Sequence, residues 1–600
     1  MRTLTISLLF MAGLLLSLPR PLLAQNAAPG DDRPNFLVIV ADDLGFSDLE
    51  AFGGDIPSPA LNALAESGVR YTQFYTAATC SPTRAMLLSG MDNHLAGLGN
   101  MIERTAPNQE GQPGYEGVLN HRVAPLSALL QEAGYHTYMA GKWHLGKEPD
   151  QIPAARGFER DFTMLAAAGS YFDKTGYDWH VPDNQFTEDG EYLDKLPKNF
   201  YATRTYTDKI IEHIESNRGD GKPFFAYLAH QAPHDPLQVP NDWLRRHRGR
   251  YDCGWDSVRV HRLKRMQSMG LMDEDVELAS RLWYVPEFNA LTGMTRYSIA
   301  RKMEIYASVV EYMDQEIGRL MAYLDETGLL DNTYVIFFSD NGPESNDKAA
   351  NAKNAPASQA AGWIANDYDT DFASWGRKGS FTAYGTPWAQ VSATPFWLVK
   401  GSLAEGGIRS PLIVAPPRNA GAGTINREAI LHVQDIAPTL LDIAGIDQPK
   451  TFEGRDVLPM QGVSWQAMLD GDAVSPRGDE DWIGFEFWGM RAIRKGPWKL
   501  LWMHKPFGTE EWQLYNVEED PGELVDLAGS RPEILAEMIH YWEDYVAENN
   551  VILPNRHQYE GLEERLPPRP AVAGTWPPGP EENHAEEEDD EFFECSVKSK

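Results

Sequence analysis

The chain has 600 residues and carries 53 lysines and arginines against 87 aspartates and glutamates, a formal net charge of −34. This acidic balance argues against nucleic acid or an anionic membrane as a partner, so any anion-binding site must be local. A chain of this length exceeds one compact core, and we expect one large domain with at least one smaller companion.

The N-terminus has the pattern of a secretory signal peptide, predicted over residues 1–24. Arg2 precedes an apolar stretch from 4 to 18, and a short segment rich in proline then ends at Ala24. The apolar stretch is short for a membrane span, and no later stretch reaches ~18 uninterrupted apolar residues. We therefore expect a periplasmic or secreted protein with no membrane span in the mature chain; an uncleaved anchor is the alternative.

Two apolar runs, each followed by acidic or amide residues, predict buried strands of a parallel sheet. Residues 35–41 lead into Asp42 and Asp43, and residues 333–339 lead into Asp340 and Asn341. Ligands bind at the carboxyl ends of such strands, and these oxygen donors suit calcium or magnesium. Each pair is weak evidence alone, because such residues are also common in helix caps and tight turns.

The segment from Cys80 to Gly90 predicts an anion site at the start of a helix. Pro82 suits the first turn of a helix, and Arg84 follows one turn in. Cys80 would then lie at the positive end of the helix, beside free backbone N–H groups and a guanidinium, which suits a tetrahedral oxyanion. The alternative is an ordinary buried thiol.

Two further segments present cationic or titratable side chains after predicted strands. Residues 136–140 precede Lys142 and His144, and alternation along the strand would point both side chains to one side, towards one anion. Residues 224–229 end near His230 and His234. His234 lies between prolines in a rigid loop and is the preferred functional residue, whereas His230 is expected to close the strand.

The remaining pattern predicts an α/β sandwich over residues 33–470, followed by a smaller subdomain. The spacing of apolar residues from 303 to 324 predicts a long amphipathic helix. Before it, residues 241–300 are interpreted as a helical insertion whose arginines and lysines form a solvated face; a basic substrate rim is the alternative. Residues 471–560 predict an antiparallel sheet with a helix, and residues 575–600 an acidic disordered tail.

Taken together and in order, these motifs resemble those of the type I, formylglycine-dependent sulfatases of the alkaline phosphatase superfamily, most closely the bacterial arylsulfatases. The resemblance rests on Cys80-x-Pro82-x-Arg84, the segments 141–146 and 232–240, the two acidic pairs, and the segment 397–411. It covers residues 33 to 555. It implies an alkaline-phosphatase-like α/β sandwich with a large mixed, mostly parallel sheet and a small C-terminal subdomain with an antiparallel sheet and a helix.

The resemblance also implies the cofactors. Cys80 would be oxidised to formylglycine (3-oxoalanine) by a formylglycine-generating enzyme. One divalent cation, usually calcium with magnesium as the alternative, would be shared by the modified residue and four side chains. The implied metal ligands are Asp42, Asp43, Cys80, Asp340 and Asn341.

The implied roles at the reaction centre follow the same resemblance. Lys142 and Lys400 would bind the sulfate together with His234, and Arg409 would be structural. The implied catalytic residues are the nucleophile from Cys80, its neighbour Arg84, the base Asp340, His234 as acid to the leaving oxygen, and His144 as base for sulfate release.

The expected function is hydrolysis of small-molecule sulfate monoesters of the arylsulfatase type. A phosphonate monoesterase or phosphodiesterase is one alternative, because a pocket for a tetrahedral oxyanion discriminates modestly between sulfur and phosphorus. A sulfatase for sulfated carbohydrates is another. If Cys80 is never oxidised, the alternative is a non-catalytic protein that binds anions or carbohydrate.

Overall fold

The structure is a computed structural model that describes residues 32–178, 181–350, 364, 366–417, 422–557, 559–560, 562 and 566–567. The predicted signal peptide and acidic tail lie outside these residues. Within the described part of the chain, no helix combines the length and the apolar composition that a bilayer crossing needs.

A large mixed sheet forms the centre of the molecule. Its path in space is Thr424–Asn426, Val69–Tyr75, Arg409–Ala415, Thr333–Ser339, Asn35–Asp42, Phe224–Pro233, His136–Lys142, Arg160–Met164, Phe186–Glu188 and Glu191–Tyr192, with Leu431–His432 also paired to Val69–Tyr75. The five strands from Thr333–Ser339 to Arg160–Met164 are parallel. The predicted α/β fold with a mixed, mostly parallel sheet is therefore confirmed.

Helices cover both faces of this sheet. The central strand Asn35–Asp42 is buried throughout, and its residues alternate between two apolar cores: Leu37 and Ile39 face one, Phe36 and Val38 the other. The first core holds helices Pro59–Ser67, Ala202–Asn217, Trp255–Ser268, Gly293–Glu326 and Thr386–Ser392. The second holds Cys80–Ser89, Asn93–Ala96, Leu126–Glu132, Ile436–Ile443 and Gln466–Leu469.

Short elements complete the connections. Glu405–Ile408 is a single helical turn. The 3-10 turns are Glu50–Phe52, Ile102–Arg104, Pro153–Arg156, Phe288–Ala290, Leu330–Asn332 and Val433–Asp435. Two small ribbons pair Thr175–Asp178 with Val181–Asp183 and Thr451–Phe452 with Arg455–Asp456.

The stretch 241–300 differs from its prediction in the role of its arginines. The solvated face is wrong for Arg259 and Arg262, which are fully buried. Arg262 donates to Asp48 and Asp55, each at 2.7 Å, and Arg259 donates to the carbonyl of Phe396 at 2.9 Å. These partners lie far away in the sequence, so the spacing within one helix did not reveal them.

The C-terminal subdomain is an antiparallel sheet with one helix. Its strands are Ile483–Phe487, Met490–Lys495, Trp498–Trp502 and Gln513–Asn516, in that order. Helix Pro532–Asn549 packs Met538, Trp542 and Tyr545 against this sheet. The predicted antiparallel sheet with a helix is confirmed.

A buried histidine joins the subdomain to the large domain. His94 is 1% exposed. Its Nδ1 lies 2.8 Å from Asp92 Oδ1 and its Nε2 lies 3.1 Å from Glu486 Oε2, while the hydroxyl of Tyr545 donates to Asp92 at 2.9 Å. Burial disfavours the charged form of His94, but the carboxylates of Asp92 and Glu486 favour it more strongly and raise the pKa of His94 to about 9.

Replacing this histidine should therefore change how stability depends on pH. The pKa of His94 is higher in the folded than in the unfolded protein, so the charged side chain stabilises the fold. This contribution, on the order of 3 kcal/mol, is complete below about pH 6.5 and is lost as the pH rises through about 9. We expect His94→Gln to lower the melting temperature strongly at about pH 6 and much less at about pH 9.5. His540→Gln, at a 70% exposed side chain, is the control; equal losses for His94→Gln at both pH values would contradict the expectation.

Candidate active site

The carboxyl ends of three parallel strands bring the predicted polar residues to one edge of the sheet. The central strand pairs Ala41 with Ser339 on one side and Asp42 with Pro233 on the other. Asp340 and His234, which follow these partners, therefore lie beside the aspartate pair. The backbone N–H of Asp43 donates to Asp340 Oδ1 at 3.3 Å.

Cys80 lies against this edge as the first residue of helix Cys80–Ser89. The side chain is buried, and its sulfur lies 3.4 Å from Asp42 Oδ1 and 3.9 Å from Asp43 Oδ1. Burial, followed by the charge of Asp340, raises the pKa of the thiol well above its ordinary value. Both effects disfavour the thiolate, so the unmodified side chain is a poor nucleophile.

Three cations surround the cysteine, and each is bound to a carboxylate of the edge. Lys142 Nζ donates to both oxygens of Asp42 at 2.8 Å. Lys400 Nζ lies 2.7 Å from Asp43 Oδ1. Arg84 donates through Nε and Nη2 to Asp340 Oδ2, at 3.0 and 2.7 Å. Sequence segments more than 300 residues apart thus form one charged cluster.

The carboxylates differ in protonation because their neighbours differ. Burial opposes ionisation of Asp42, but Lys142, His234 and Arg84 together hold its pKa well below the usual range. For Asp340, burial and the nearby charge of Asp42 dominate and raise the pKa to about 6. Burial and the neighbouring charge of Asp42 therefore oppose ionisation of Asp340 more strongly than Arg84 and Lys142 favour it.

The donor set fits a divalent cation. Ligand atoms of Asp42, Asp43, Cys80 and Asp340 lie within 4.8 Å of one another. The buried Oδ1 of Asn341 accepts no hydrogen bond from any described residue, although its Nδ2 donates to Asp43 Oδ1 at 2.7 Å. Carboxylates with an uncommitted amide oxygen are the hard donors that calcium and magnesium prefer. This buried acidic group could hold a metal.

The histidines occupy different parts of the site. His234 Nε2 lies 3.3 Å from Asp43 Oδ2, and its Nδ1 donates to the Asp235 carbonyl at 2.6 Å. His144 lines the same cavity as Cys80, with Nε2 3.5 Å from Glu103 Oε1. His230 was expected to close its strand but lies inside it, because the strand continues to Pro233; burial lowers its pKa to about 3.

Four residues near the centre were missed by the sequence reasoning. Glu344 lies 3.6 Å from Lys400 Nζ, and Glu103 contacts His144. Tyr177 donates to Asp235 at 2.9 Å and packs its ring edge to face with His234, 4.9 Å between centroids. Adjacency to His234 could have indicated Asp235; the other three lie on segments with no motif.

Close contact between two glycine turns places Lys400 near the edge. Gly342 follows Asn341, and its N–H donates to the Gly407 carbonyl at 3.0 Å. A Cβ on Gly342 would lie 1.9 Å from the Gly406 carbonyl oxygen, so no larger residue fits there. Near the same turn, Leu398 has φ of 57°, a left-handed conformation unusual for a branched residue.

Such an edge suits hydrolysis of an ester that bears a tetrahedral oxyanion, and the fold is that of the alkaline-phosphatase-like hydrolases. Within that class the assignment is specific. The chain belongs to the sulfatase family, whose model matches residues 34–446, and is thus a sulfuric ester hydrolase. A second model, described as the C-terminal part of N-sulphoglucosamine sulphohydrolase, matches residues 396–540.

Curated relatives cover most of the chain. An uncharacterized sulfatase of Schizosaccharomyces pombe is 42% identical over 550 residues, which are 88% of this chain and 96% of that protein. The arylsulfatase of Klebsiella aerogenes is 38% identical over 460 residues, 75% of this chain and 95% of that protein. Both matches support the family assignment.

Solved structures share the fold at low sequence identity. The crystal structure of Ps i-CgsB aligns with a TM-score of 0.61 at 23% identity, covering 89% of this chain and 97% of that one. The phosphonate monoester hydrolase of Agrobacterium radiobacter aligns with a TM-score of 0.53 at 18% identity, covering 86% and 96%. These likenesses concern the fold alone.

Proposed function

We propose that the protein hydrolyses small sulfate monoesters of the arylsulfatase type, with a formylglycine made from Cys80 and a bound calcium ion. The observation that carries this proposal is the convergence of Lys142, Lys400 and Arg84 on the buried edge beside Cys80. Magnesium remains the alternative ion.

The cations supply the binding of the sulfate. A sulfate monoester brings one negative charge into a pocket that already holds three carboxylates, so compensation must be close and preorganised. Lys142 and Lys400 each have further N–H groups beyond those bonded to Asp42 and Asp43. These N–H groups stabilise charge that develops on the sulfate oxygens in the transition state.

The nucleophile and the metal are the parts that the unmodified chain lacks. A bound calcium ion would neutralise charge on the sulfate and help to deprotonate a nucleophilic hydroxyl. In this proposal Asp42, Asp43, Asp340 and Asn341 hold the ion. Arg84 fixes the orientation of Asp340 by its two hydrogen bonds, so that one carboxylate oxygen stays directed at the site.

Proton transfer is assigned to the two histidines. His234 Nδ1 is held by the Asp235 carbonyl, which directs Nε2 towards the edge, where it can donate a proton to the leaving oxygen. Burial, opposed by Glu103, lowers the pKa of His144, which favours the neutral form that a base needs. His144 is accordingly proposed as the base for sulfate release.

The rival activities are a phosphonate monoesterase or phosphodiesterase and a sulfatase for sulfated carbohydrates. We expect kcat/KM for 4-nitrophenyl sulfate to exceed that for 4-nitrophenyl phosphate, bis(4-nitrophenyl) phosphate and 4-nitrophenyl phenylphosphonate. The leaving group is the same in all four esters, so the comparison reports only the preference for sulfur or phosphorus. Higher rates on a phosphorus ester would reject the sulfatase proposal. Turnover of sulfated sugars but of no aryl sulfate would reject the arylsulfatase type.

Maturation and location complete the proposal. A formylglycine-generating enzyme would act on the Cys80 segment before the protein folds, since the thiol is buried in the folded chain. Export by the segment 1–24 to the periplasm or the medium is tested by N-terminal sequencing of the mature protein, which we expect to begin after Ala24.

A further inference from the structure

A cavity of about 1780 Å³ opens outward from Cys80, His144, His234 and Lys400. It is far larger than a sulfate group needs, so most of it is available to the rest of the ester. One side of it, here called the apolar wall, comes from three separate parts of the chain. The apolar wall consists of Leu282, Tyr284, Phe507, Tyr559, Leu562 and Leu566.

The apolar wall is packed as a unit. The rings of Tyr284 and Phe507 lie 6.4 Å apart, and those of Phe507 and Tyr559 lie 5.1 Å apart. Tyr559, Leu562 and Leu566 pack against the larger apolar core. Residues beyond the antiparallel subdomain thus line the same cavity as the 241–300 stretch.

Hydrogen bonds hold this wall next to the sulfate-binding lysine. The hydroxyl of Tyr559 donates to the carbonyl of Gly401 at 3.2 Å, and Gly401 directly follows Lys400. Trp283 Nε1 donates to the Pro567 carbonyl at 2.6 Å. A sulfate bound at Lys400 would therefore have its leaving group within reach of the apolar wall.

The charged side chains that line the cavity lie outside the apolar wall. The basic substrate rim, the alternative considered for the insertion, is not formed by residues 241–281, which contribute no side chain to the cavity. Arg262 is bonded to buried carboxylates instead. Of the cations lining the cavity, Lys302 is paired with Asp347 and Lys400 lies near Glu344. The others are Arg104, Lys147 and Lys348. A leaving group held at the apolar wall therefore meets no charged side chain of the wall itself.

We propose that the apolar wall binds the leaving group of the ester and selects flat, apolar aryl groups of more than one ring. This inference rests on the proposed function, since it names the substrate class of the same site. The six side chains offer aromatic and aliphatic surfaces. Contact with these surfaces favours binding of an apolar aryl ring, whereas they discriminate poorly between sugars, which are recognised through hydrogen bonds.

The test compares two esters whose leaving phenols have similar acidity, 2-naphthyl sulfate and phenyl sulfate. For wild-type protein we expect a higher kcat/KM on the naphthyl ester. Tyr284→Gln and Leu562→Gln should each lower the naphthyl to phenyl ratio about tenfold, the effect of losing roughly one side chain's apolar contact. Leu524→Gln, an exposed leucine that does not line the cavity, should leave both rates within about twofold of wild type.

A binding measurement separates this inference from the proposed function. Naphthalene-2-sulfonate and benzenesulfonate cannot be hydrolysed, and calorimetry should give tighter binding of the first, with the difference reduced in Tyr284→Gln and Leu562→Gln. Turnover of both esters with an unchanged ratio in the folded variants, or equal affinity of wild type for the two sulfonates, would overturn the apolar wall and leave the sulfatase proposal intact. Tighter binding of naphthalene-2-sulfonate without turnover of either ester would support the apolar wall and overturn the sulfatase proposal.

Discussion

Cys80→Ala is expected to abolish turnover of aryl sulfates, by more than about 10⁴-fold, while leaving the fold intact. The proposed nucleophile is formed from this side chain, and no other buried thiol lies in the described site. The substitution removes a single heavy atom from a side chain that makes only weak sulfur contacts with Asp42 and Asp43. Steady-state kinetics with 4-nitrophenyl sulfate measures the loss, and circular dichroism with thermal melting checks the fold.

A matched control lies in the same helix. Ser89 is buried as well; its hydroxyl donates to the Ala85 carbonyl one turn back and accepts from the Met91 N–H, with no bond to the candidate site residues. Ser89→Ala should keep turnover near the wild-type rate. Mass spectrometry of the wild-type peptide containing Cys80 adds a direct readout, because oxidation of the thiol to the aldehyde lowers its mass. Retained activity in Cys80→Ala would mean that a different group attacks sulfur.

Removing divalent metal should both inactivate and destabilise the protein. Ligand oxygens of Asp42, Asp43 and Asp340 lie within 4.8 Å of one another. Burial and the charge of Asp42 oppose ionisation of Asp340 and raise its pKa to about 6. An ion that binds only the folded state at 100 times its Kd stabilises by about 2.7 kcal/mol. We expect a chelator to remove turnover and lower the melting temperature, and calcium to restore both more effectively than magnesium.

A pair of carboxylate variants separates metal binding from general destabilisation. Asp43→Asn alters a proposed ligand, whereas Asp48→Asn alters an equally buried carboxylate that is bonded to Arg262 and Tyr306 away from the ligand group. Both should lower the melting temperature. Only Asp43→Asn should lose the increase in melting temperature that calcium gives. An unchanged melting curve and full turnover of wild type after exhaustive chelation would contradict the metal site.

Local patterns predicted the elements that carry the site. The apolar runs at 35–41 and 333–339 are strands, and the helix predicted from 303 to 324 extends over Gly293–Glu326. These predictions succeeded because a strand buried on both faces must be continuously apolar, and a helix with one buried face must repeat its apolar residues. The roles assigned to single residues of the site stay predictions, which the variants above test.

Partners separated by long stretches of chain escaped the sequence reasoning. The insertion's arginines were expected in solvent, yet Arg262 bonds carboxylates more than 200 residues away. Glu103 and Glu344 lie on segments without a motif and reach His144 and Lys400 only through the fold. Periodicity reports which face of an element is buried, but it does not report which charged groups meet inside.

By itself, the sequence determined the chemical types at the centre: a cysteine at a helix start, acidic pairs after strands, lysines and histidines in motifs of the sulfatase family. The order of residues along the chain and the burial pattern of each element suffice to predict these residue types, because each motif lies on one element. Only the tertiary structure decided which cation meets which carboxylate and what lines the cavity beyond the sulfate. Those choices depend on the packing of segments hundreds of residues apart, as in the apolar wall that Tyr284, Phe507 and Tyr559 form beside Lys400.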